Sequence, residues 1–194
     1  MRRAVLLGLL LLGAADKLPP PQDSAHLPRL SAAEQAARDM LKIYDEFCLQ
    51  RFPNAELVRA GIAARRLNAA SAADAAESLQ GRPGQAWAVS GVGTYTLAFA
   101  DAPHQGCVVT GAVADDESLR AIFGLAVQAF ASEHDLGKLD TPMLRHGSVG
   151  NAPAVMQVIG TTGGAARQAF VNLSWVADGV VHGRLAREFP PPGK

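Results

Sequence analysis

Two cysteines and one histidine are the residues of this chain whose types and spacing could support nucleophilic catalysis. Cys48 and Cys107 are its two cysteines, and His104 precedes Cys107 by three residues. A histidine at that distance could act as the base for a thiolate nucleophile. The alternative is a disulfide between Cys48 and Cys107, which an even cysteine count favours in an exported chain. Because an oxidised sulfur cannot attack a substrate, we predict the disulfide and no catalytic cysteine.

The histidines and one acidic segment are the remaining candidates for a catalytic or metal site. No two of the five histidines have a spacing such as His-x-x-x-His, so we predict neither a metal nor a cofactor. The acidic segment 115–117 could supply a general acid and base, although acids in the first turn of a helix also suit the helix dipole. If the protein is an enzyme, four residues could build its site: His104, His146, His182 and Asp115.

One aromatic residue is a candidate for binding rather than catalysis. In the segment 168–175, Phe170 lies on one face of a predicted strand and a set of four apolar residues lies on the other face, because successive side chains of a strand point to opposite faces. The apolar set is the more hydrophobic, and we predict that it faces the core: Ala169, Val171, Leu173 and Trp175. Phe170 is then expected to be an exposed binding anchor.

Helices and strands that must position these residues follow from the period of the apolar residues. Ser31 and Glu34 form a capping box that begins a first helix, Pro53 ends it, and Asn54 and Ser71 begin two short helices. A period of two then predicts strands up to Val113, and a long amphipathic helix follows from Asp115 or Asp116. After a Gly- and Pro-rich loop over 137–153, three strands are predicted at 154–159, 168–175 and 180–185.

This order of elements indicates the α+β class. We expect N-terminal helices, an antiparallel sheet built from hairpins, a C-terminal three-strand meander, and one long amphipathic helix between the two groups of strands. The helices are expected to cover one face of the sheet.

The N-terminus has the three parts of a secretory signal peptide. A basic start, Met1–Arg3, precedes ten apolar residues and a small-residue cleavage site that ends at Ala15. Ten apolar residues are too few for a membrane span, which needs about 20. We predict four segments: a signal peptide (1–15), a Pro-rich leader (16–30), a single α+β domain (31–188) and a disordered tail (189–194). The mature protein is expected to be periplasmic or secreted, without stable membrane insertion.

Composition excludes two classes of protein. The chain has 194 residues, 48% of them hydrophobic, with 18 basic and 18 acidic side chains. An intrinsically disordered chain would have low hydrophobicity and a high net charge. A nucleic-acid binder would carry a basic excess to neutralise phosphates. We therefore expect an ordinary hydrophobic core and no nucleic-acid partner.

A short motif resembles a known family. The segment 47–53 reads Phe-Cys-Leu-Gln-Arg-Phe-Pro at a helix end, and a returning Cys107-Val108-Val109 follows later. This layout is similar to a family of small exported uncharacterised bacterial proteins, some of them lipoproteins, over residues 35–187. The resemblance implies export and a Cys48–Cys107 bridge, and it brings no catalytic residues. The chain departs from the lipoprotein members because it lacks their acylated cysteine.

Without a catalytic motif, the sequence favours a non-catalytic binding protein, of the inhibitor or immunity type, with a protein partner in the cell envelope. The alternative is a small periplasmic hydrolase with a site built from histidine and aspartate. Whether the protein is an enzyme stays open at this point.

Overall fold

A computed structural model describes residues 30–113, 116–162 and 167–189. The predictions for the signal peptide, for nearly all of the leader, for Asp115 and for the tail beyond Phe189 lie outside these residues. The described part has four α-helices: α1 (Ala32–Tyr44), α2 (Ala55–Arg65), α3 (Ala72–Leu79) and α4 (Asp116–Glu133). Its nine strands are β1 (Asn68–Ala69), β2 (Gly84–Ser90), β3 (Thr94–Ala100), β4 (Gly106–Ala112), β5 (Lys138–Leu139), β6 (Met143–Val149), β7 (Ala152–Thr162), β8 (Ala169–Ala177) and β9 (Val180–Glu188).

The first three helices begin where their capping residues predict. The Ser31 hydroxyl accepts a hydrogen bond from the Glu34 amide, and the Glu34 carboxylate accepts one from the Ser31 amide at 2.8 Å, which completes a capping box. Asn54 caps α2 and Ser71 caps α3 in the same way, through side-chain oxygens that accept backbone amides. Helix α1 does not stop at Tyr44 but continues into one π-helical turn, Asp45–Leu49.

All nine strands form one sheet in which every pair is antiparallel. Their order is β1-β2-β3-β4-β9-β8-β7, and both β5 and β6 pair with the outer side of β7. Strand β9 follows the others in the chain, yet it lies between β4 and β8 in the middle of the sheet. The α+β prediction is confirmed, including the long helix between the two groups of strands. None of the described helices is long and apolar enough to cross a membrane.

The predicted loop over 137–153 is wrong, because this segment contains β5 and β6. All seven residues of β6 are exposed, so no buried side of the strand produces an alternating pattern in the sequence. The three-strand meander is thereby extended to four consecutive strands, β6 to β9.

The helices do not all cover one face of the sheet, as the sequence led us to expect. Helices α1 and α4 and the π-helical turn pack on one face, where they enclose the main core around Tyr44, Phe47 and Phe123. Helix α3 packs on the opposite face, where Leu79 contacts a smaller apolar cluster that includes Val108 and Ala186. Small residues such as Ala98 and Ala100 allow this short helix to lie close to the sheet.

Phe170 is not an exposed anchor, and this prediction is wrong. Its side chain is 0% exposed and packs against Phe130 of α4, with 6.2 Å between the ring centroids. Asn172 and Ser174 share the same face of β8 and are also buried. These two polar residues lowered the apparent hydrophobicity of the face that packs under α4. Trp175, on the other face, is nearly as buried at 8% exposed.

The predicted disulfide between Cys48 and Cys107 is confirmed. The bridge joins the π-helical turn to β4, with the two Cα atoms 5.3 Å apart. Both sulfurs are oxidised and fully buried. Cys107 therefore cannot act as a nucleophile with His104 as its base.

Candidate binding site

The histidines that could have built a catalytic site lie far apart. His104 is in the turn before β4, whereas His182 pairs with Ala112 at the other end of that strand. His146 is on β6, three strands away from His182. Within residues 30–113, 116–162 and 167–189, no three His, Cys, Asp or Glu side chains are grouped so as to hold a metal ion. Asp115 is outside these residues.

A depression lies on the sheet face opposite α1 and α4, between α3 and β6. We call it the open-face trough. Its floor consists of Ala154, Met156, Leu173 and Trp175. Its walls carry Glu77 of α3, Gln80 directly after α3, and Arg145 and Val149 of β6. It comprises two adjoining cavities of about 390 and 400 Å³, which share Gln80, Val149 and Leu173. Both volumes lie in the range of small-molecule sites, which are about 300–1,000 Å³.

Strand register aligns the trough residues in a single row across five strands. Thr110 of β4 is opposite Arg184 of β9, which is opposite Leu173 of β8. The row continues to Met156 of β7 and ends at Arg145 of β6. Two apolar side chains therefore lie between two arginines on the same face of the sheet.

A second row borders the first and makes the inner end of the trough aromatic. Trp175 is opposite His182 in this row, and their rings stack with 5.2 Å between centroids and an interplanar angle of 12°. Such an offset stack presents a flat, rigid surface beside Leu173.

Arg184 is buried near the inner end of the row, and it shares its carboxylate partner, Glu188, with a second arginine. Its side chain lines the trough and the residue is only 5% exposed. Its Nη2 donates to Glu188 Oε1 at 3.3 Å, and the same oxygen accepts from Arg82 Nη2 at 3.3 Å. The buried Nε of Arg184 has no hydrogen-bond partner. Burial lowers the pKa of Arg184, and Glu188 only partly opposes this effect.

The neighbouring Arg187 is buried for a structural reason. Its Nη1 donates to the backbone carbonyls of Cys48, Leu49 and Phe52 at 3.0, 3.1 and 2.8 Å, and its Nε donates to Gln168 at 2.9 Å. These bonds satisfy the carbonyl oxygens at the end of the first helical segment. Burial lowers the pKa of Arg187 to about 10. Its donors are directed into the protein, so Arg187 does not belong to the binding site.

Neither Arg184 nor Arg187 was predicted from the sequence to be a site residue. The signal was present as two charged residues, Arg184 and Arg187, within a segment otherwise rich in apolar and small residues. Charged residues in a central strand are buried at a cost unless they have partners, so each one marks a special environment.

The outer edge of the sheet is a second exposed feature. Strand β6 pairs with β7, and within the described part of the chain no strand lies on its other side. Met143, Leu144 and Val149 are 45%, 57% and 36% exposed. Backbone amides and carbonyls along this edge are free to pair with another strand.

Comparison with known proteins finds no match to a protein-family model, to a curated protein or to a solved structure. The resemblance to the exported bacterial family with the Phe-Cys-Leu-x-x-Phe-Pro motif therefore stays a prediction.

Proposed function

We propose that this protein is an exported, non-catalytic binding protein that pairs a strand of a protein partner with the outer edge of β6. The partner is an envelope protein, bound in the manner of an inhibitor or immunity protein. The observation that carries this proposal is the exposed edge of β6, seven residues long.

Natural proteins usually protect an edge of this length. They use lysines, prolines, bulges or very short edge strands to prevent another chain from pairing there. The opposite edge of this sheet is protected in that way, because β1 has only two residues. Strand β6 has no proline, a single arginine and three large exposed apolar side chains. An unprotected edge of this kind is suited to strand addition, in which backbone hydrogen bonds supply the affinity.

Charge favours a partner strand over a second copy of the same chain. Strand β6 contains Arg145 and His146 but no acidic residue. A second β6 would bring the same cation and no carboxylate to meet it. A partner strand with an acidic residue opposite Arg145 gains a cross-strand ion pair, whereas like charges in such positions are destabilising.

Export is supported by the disulfide and by the N-terminal sequence. Disulfides persist in oxidising compartments and are rare in the cytosol. The intact mass of protein from the native envelope fraction tests this part of the proposal. We expect a chain that begins at Asp16 with both cysteines oxidised. A cytosolic chain that retains Met1–Ala15 would contradict it.

Strand addition is tested with two synthetic peptides as probes. Both have the length of β6, seven residues, alternate valine with threonine, and differ only in a central glutamate or lysine. We expect the glutamate peptide to bind about three- to tenfold more tightly, because it can pair with Arg145 whereas lysine is repelled by it. Hydrogen exchange of the 143–149 amides should slow when it binds.

A charged substitution at the edge supplies the matched control. Leu144→Glu should weaken binding of the glutamate peptide, because it places a like charge on the apolar edge. Leu125→Glu should leave binding unchanged, since Leu125 is an exposed apolar residue on α4, at 67%. Equal binding of the two peptides, or no protection of 143–149, would contradict the proposal. A concentration-dependent dimer that Leu144→Glu abolishes would also overturn it in favour of a second copy.

A further inference from the structure

A charge imbalance lies next to the open-face trough, at Arg184, which lines it, and at Arg82 and Glu188, which line a neighbouring cavity. Arg82 and Arg184 share one carboxylate oxygen of Glu188, so two guanidinium groups have one anion between them. Arg82 is partly exposed. Arg184 is only 5% exposed, and its buried Nε has no hydrogen-bond partner. A buried cation with incomplete pairing is costly, and a further anion would relieve that cost.

The floor beside Arg184 is apolar over a defined distance. From Arg184 the row passes Leu173 and Met156 before it reaches Arg145. Neighbouring strands are about 4.8 Å apart, so this row spans about 14 Å. Trp175 extends the apolar surface along one side of the row. The site therefore offers one cationic end followed by an apolar floor.

We propose that the open-face trough binds a small amphipathic anion, namely a single carboxylate on an unbranched apolar body. The carboxylate pairs with Arg184, while Glu188 keeps its bond to Arg82. The body lies across Leu173 and Met156 towards β6. This site lies on a face of the sheet and meets the edge strand at Arg145 and Val149, and its ligand goes beyond the proposed protein-binding function.

The other charges around the trough are compatible with this assignment. Glu77 is on the α3 wall, but it is exposed, so solvent and salt screen its repulsion. Arg145 at the outer end is exposed as well and adds a weaker positive potential. Arg184 is shielded from water, and a charge pair there is stronger than one at the surface.

Dodecanoate, below its micellar concentration, is the probe, and dodecan-1-ol is its neutral control. Isothermal titration should show that the intact protein binds dodecanoate at least about tenfold more tightly than the alcohol. Arg184→Gln should remove this preference. Arg59→Gln is the matched control, because Arg59 is an exposed arginine on α2, and it should leave both affinities unchanged.

A second variant keeps the test decisive if Arg184→Gln does not fold. Met156→Glu adds a negative charge to the half-buried floor while Arg184 stays in place, and it should weaken dodecanoate binding at least about tenfold. Equal affinity for acid and alcohol, or no binding of either, would overturn the proposal. Unchanged binding in Met156→Glu would place the ligand elsewhere and would also overturn it. Arg184→Gln should not change the affinity of the β6 edge for the glutamate peptide, because Arg184 is three strands away from β6, so the two proposals can fail independently.

Discussion

Cys107 and Arg187 are opposite each other on β4 and β9, and both hold the same short stretch of chain. Cys107 is bonded to Cys48, and the Arg187 guanidinium donates to the carbonyls of Cys48, Leu49 and Phe52. The end of the first helical segment is thus fixed to the middle of the sheet by a covalent bond and by three hydrogen bonds. These two attachments can be removed separately.

Removal of the disulfide should destabilise the protein without abolishing the fold. The cysteines are 59 residues apart in sequence, and a crosslink over such a loop contributes about 4 kcal/mol in the chain-entropy model. We expect Cys48→Ala combined with Cys107→Ala to lower the free energy of unfolding by about this amount. Urea unfolding measures it.

A reductant provides the control for this prediction. It should lower the stability of the wild-type protein and have no effect on the double variant. A double variant as stable as the oxidised wild type would show that the bridge contributes nothing to stability.

Arg187→Met should lower the free energy of unfolding by more than the loss of one surface charge would. The substitution leaves the carbonyls of Cys48, Leu49 and Phe52 without their donor in a buried position. Each unsatisfied group costs about 1–3 kcal/mol, so we expect a loss of about 3 kcal/mol or more in the free energy of unfolding. Arg59→Met, on the exposed side of α2, should change it by less than about 0.5 kcal/mol. Similar losses in the two variants would be evidence against the structural role of Arg187.

Tyr44 should make the protein sensitive to alkaline pH. Burial raises the pKa of Tyr44 above its ordinary value of 10.0, with a smaller opposing effect of Arg187. Below that value both states keep the proton and stability is unaffected. Above it the unfolded chain ionises first, so Tyr44 by itself lowers the free energy of unfolding by up to about 1.4 kcal/mol per pH unit. Above about pH 10 the lowered pKa of Arg187 acts in the opposite direction, because the folded state loses that proton before the unfolded chain does. Urea unfolding between about pH 8 and pH 11 measures this slope.

Tyr44→Phe isolates that contribution. Near neutral pH it should cost about 1 kcal/mol, because the hydroxyl no longer donates to the Ala186 carbonyl at 3.1 Å. Above pH 10 its stability should fall less steeply than that of the wild type. The difference between the two slopes measures Tyr44, because Tyr95, whose pKa burial also raises, and Arg187 are present in both proteins. Identical slopes would contradict the assignment to Tyr44.

Phe170→Ala should behave as a core substitution. The residue is 0% exposed under α4, and removal of such a ring costs about 3–5 kcal/mol. Leu144→Ala, at a position that is 57% exposed, should cost less than about 0.5 kcal/mol. If Phe170→Ala were as stable as Leu144→Ala, the side chain would have to be exposed in solution.

Helix starts and the last hairpin turn were predicted from the sequence because each depends on a few neighbouring residues. Ser31 with Glu34, Asn54 and Ser71 each begin a helix because a side-chain oxygen must accept a free amide at that point. Asp178-Gly179 turns the last hairpin because both residues adopt positive φ, at 52° and 75°. Such features need no knowledge of the rest of the fold.

Features that depend on packing between distant segments were not predicted. The face of β8 that packs under α4 contains Asn172 and Ser174, so its hydrophobicity did not identify it as buried. Strand β6 buries neither of its faces, and its sequence therefore shows no regular alternation of apolar and polar residues. The pairing of Arg184 and Arg82 with Glu188 depends on residues up to 106 positions apart. The open-face trough could therefore not be located from the sequence.

The central position of β9 has a consequence for the order of folding. Strands β1 to β4 and strands β5 to β8 are two half-sheets that do not pair with each other except through β9. Until residues 180–188 insert between β4 and β8, each half has an unpaired inner edge that can bind other chains. A ribosome that still holds this segment keeps the sheet incomplete. The slow formation of such distant contacts makes the newly synthesised chain dependent on protection from aggregation until β9 inserts.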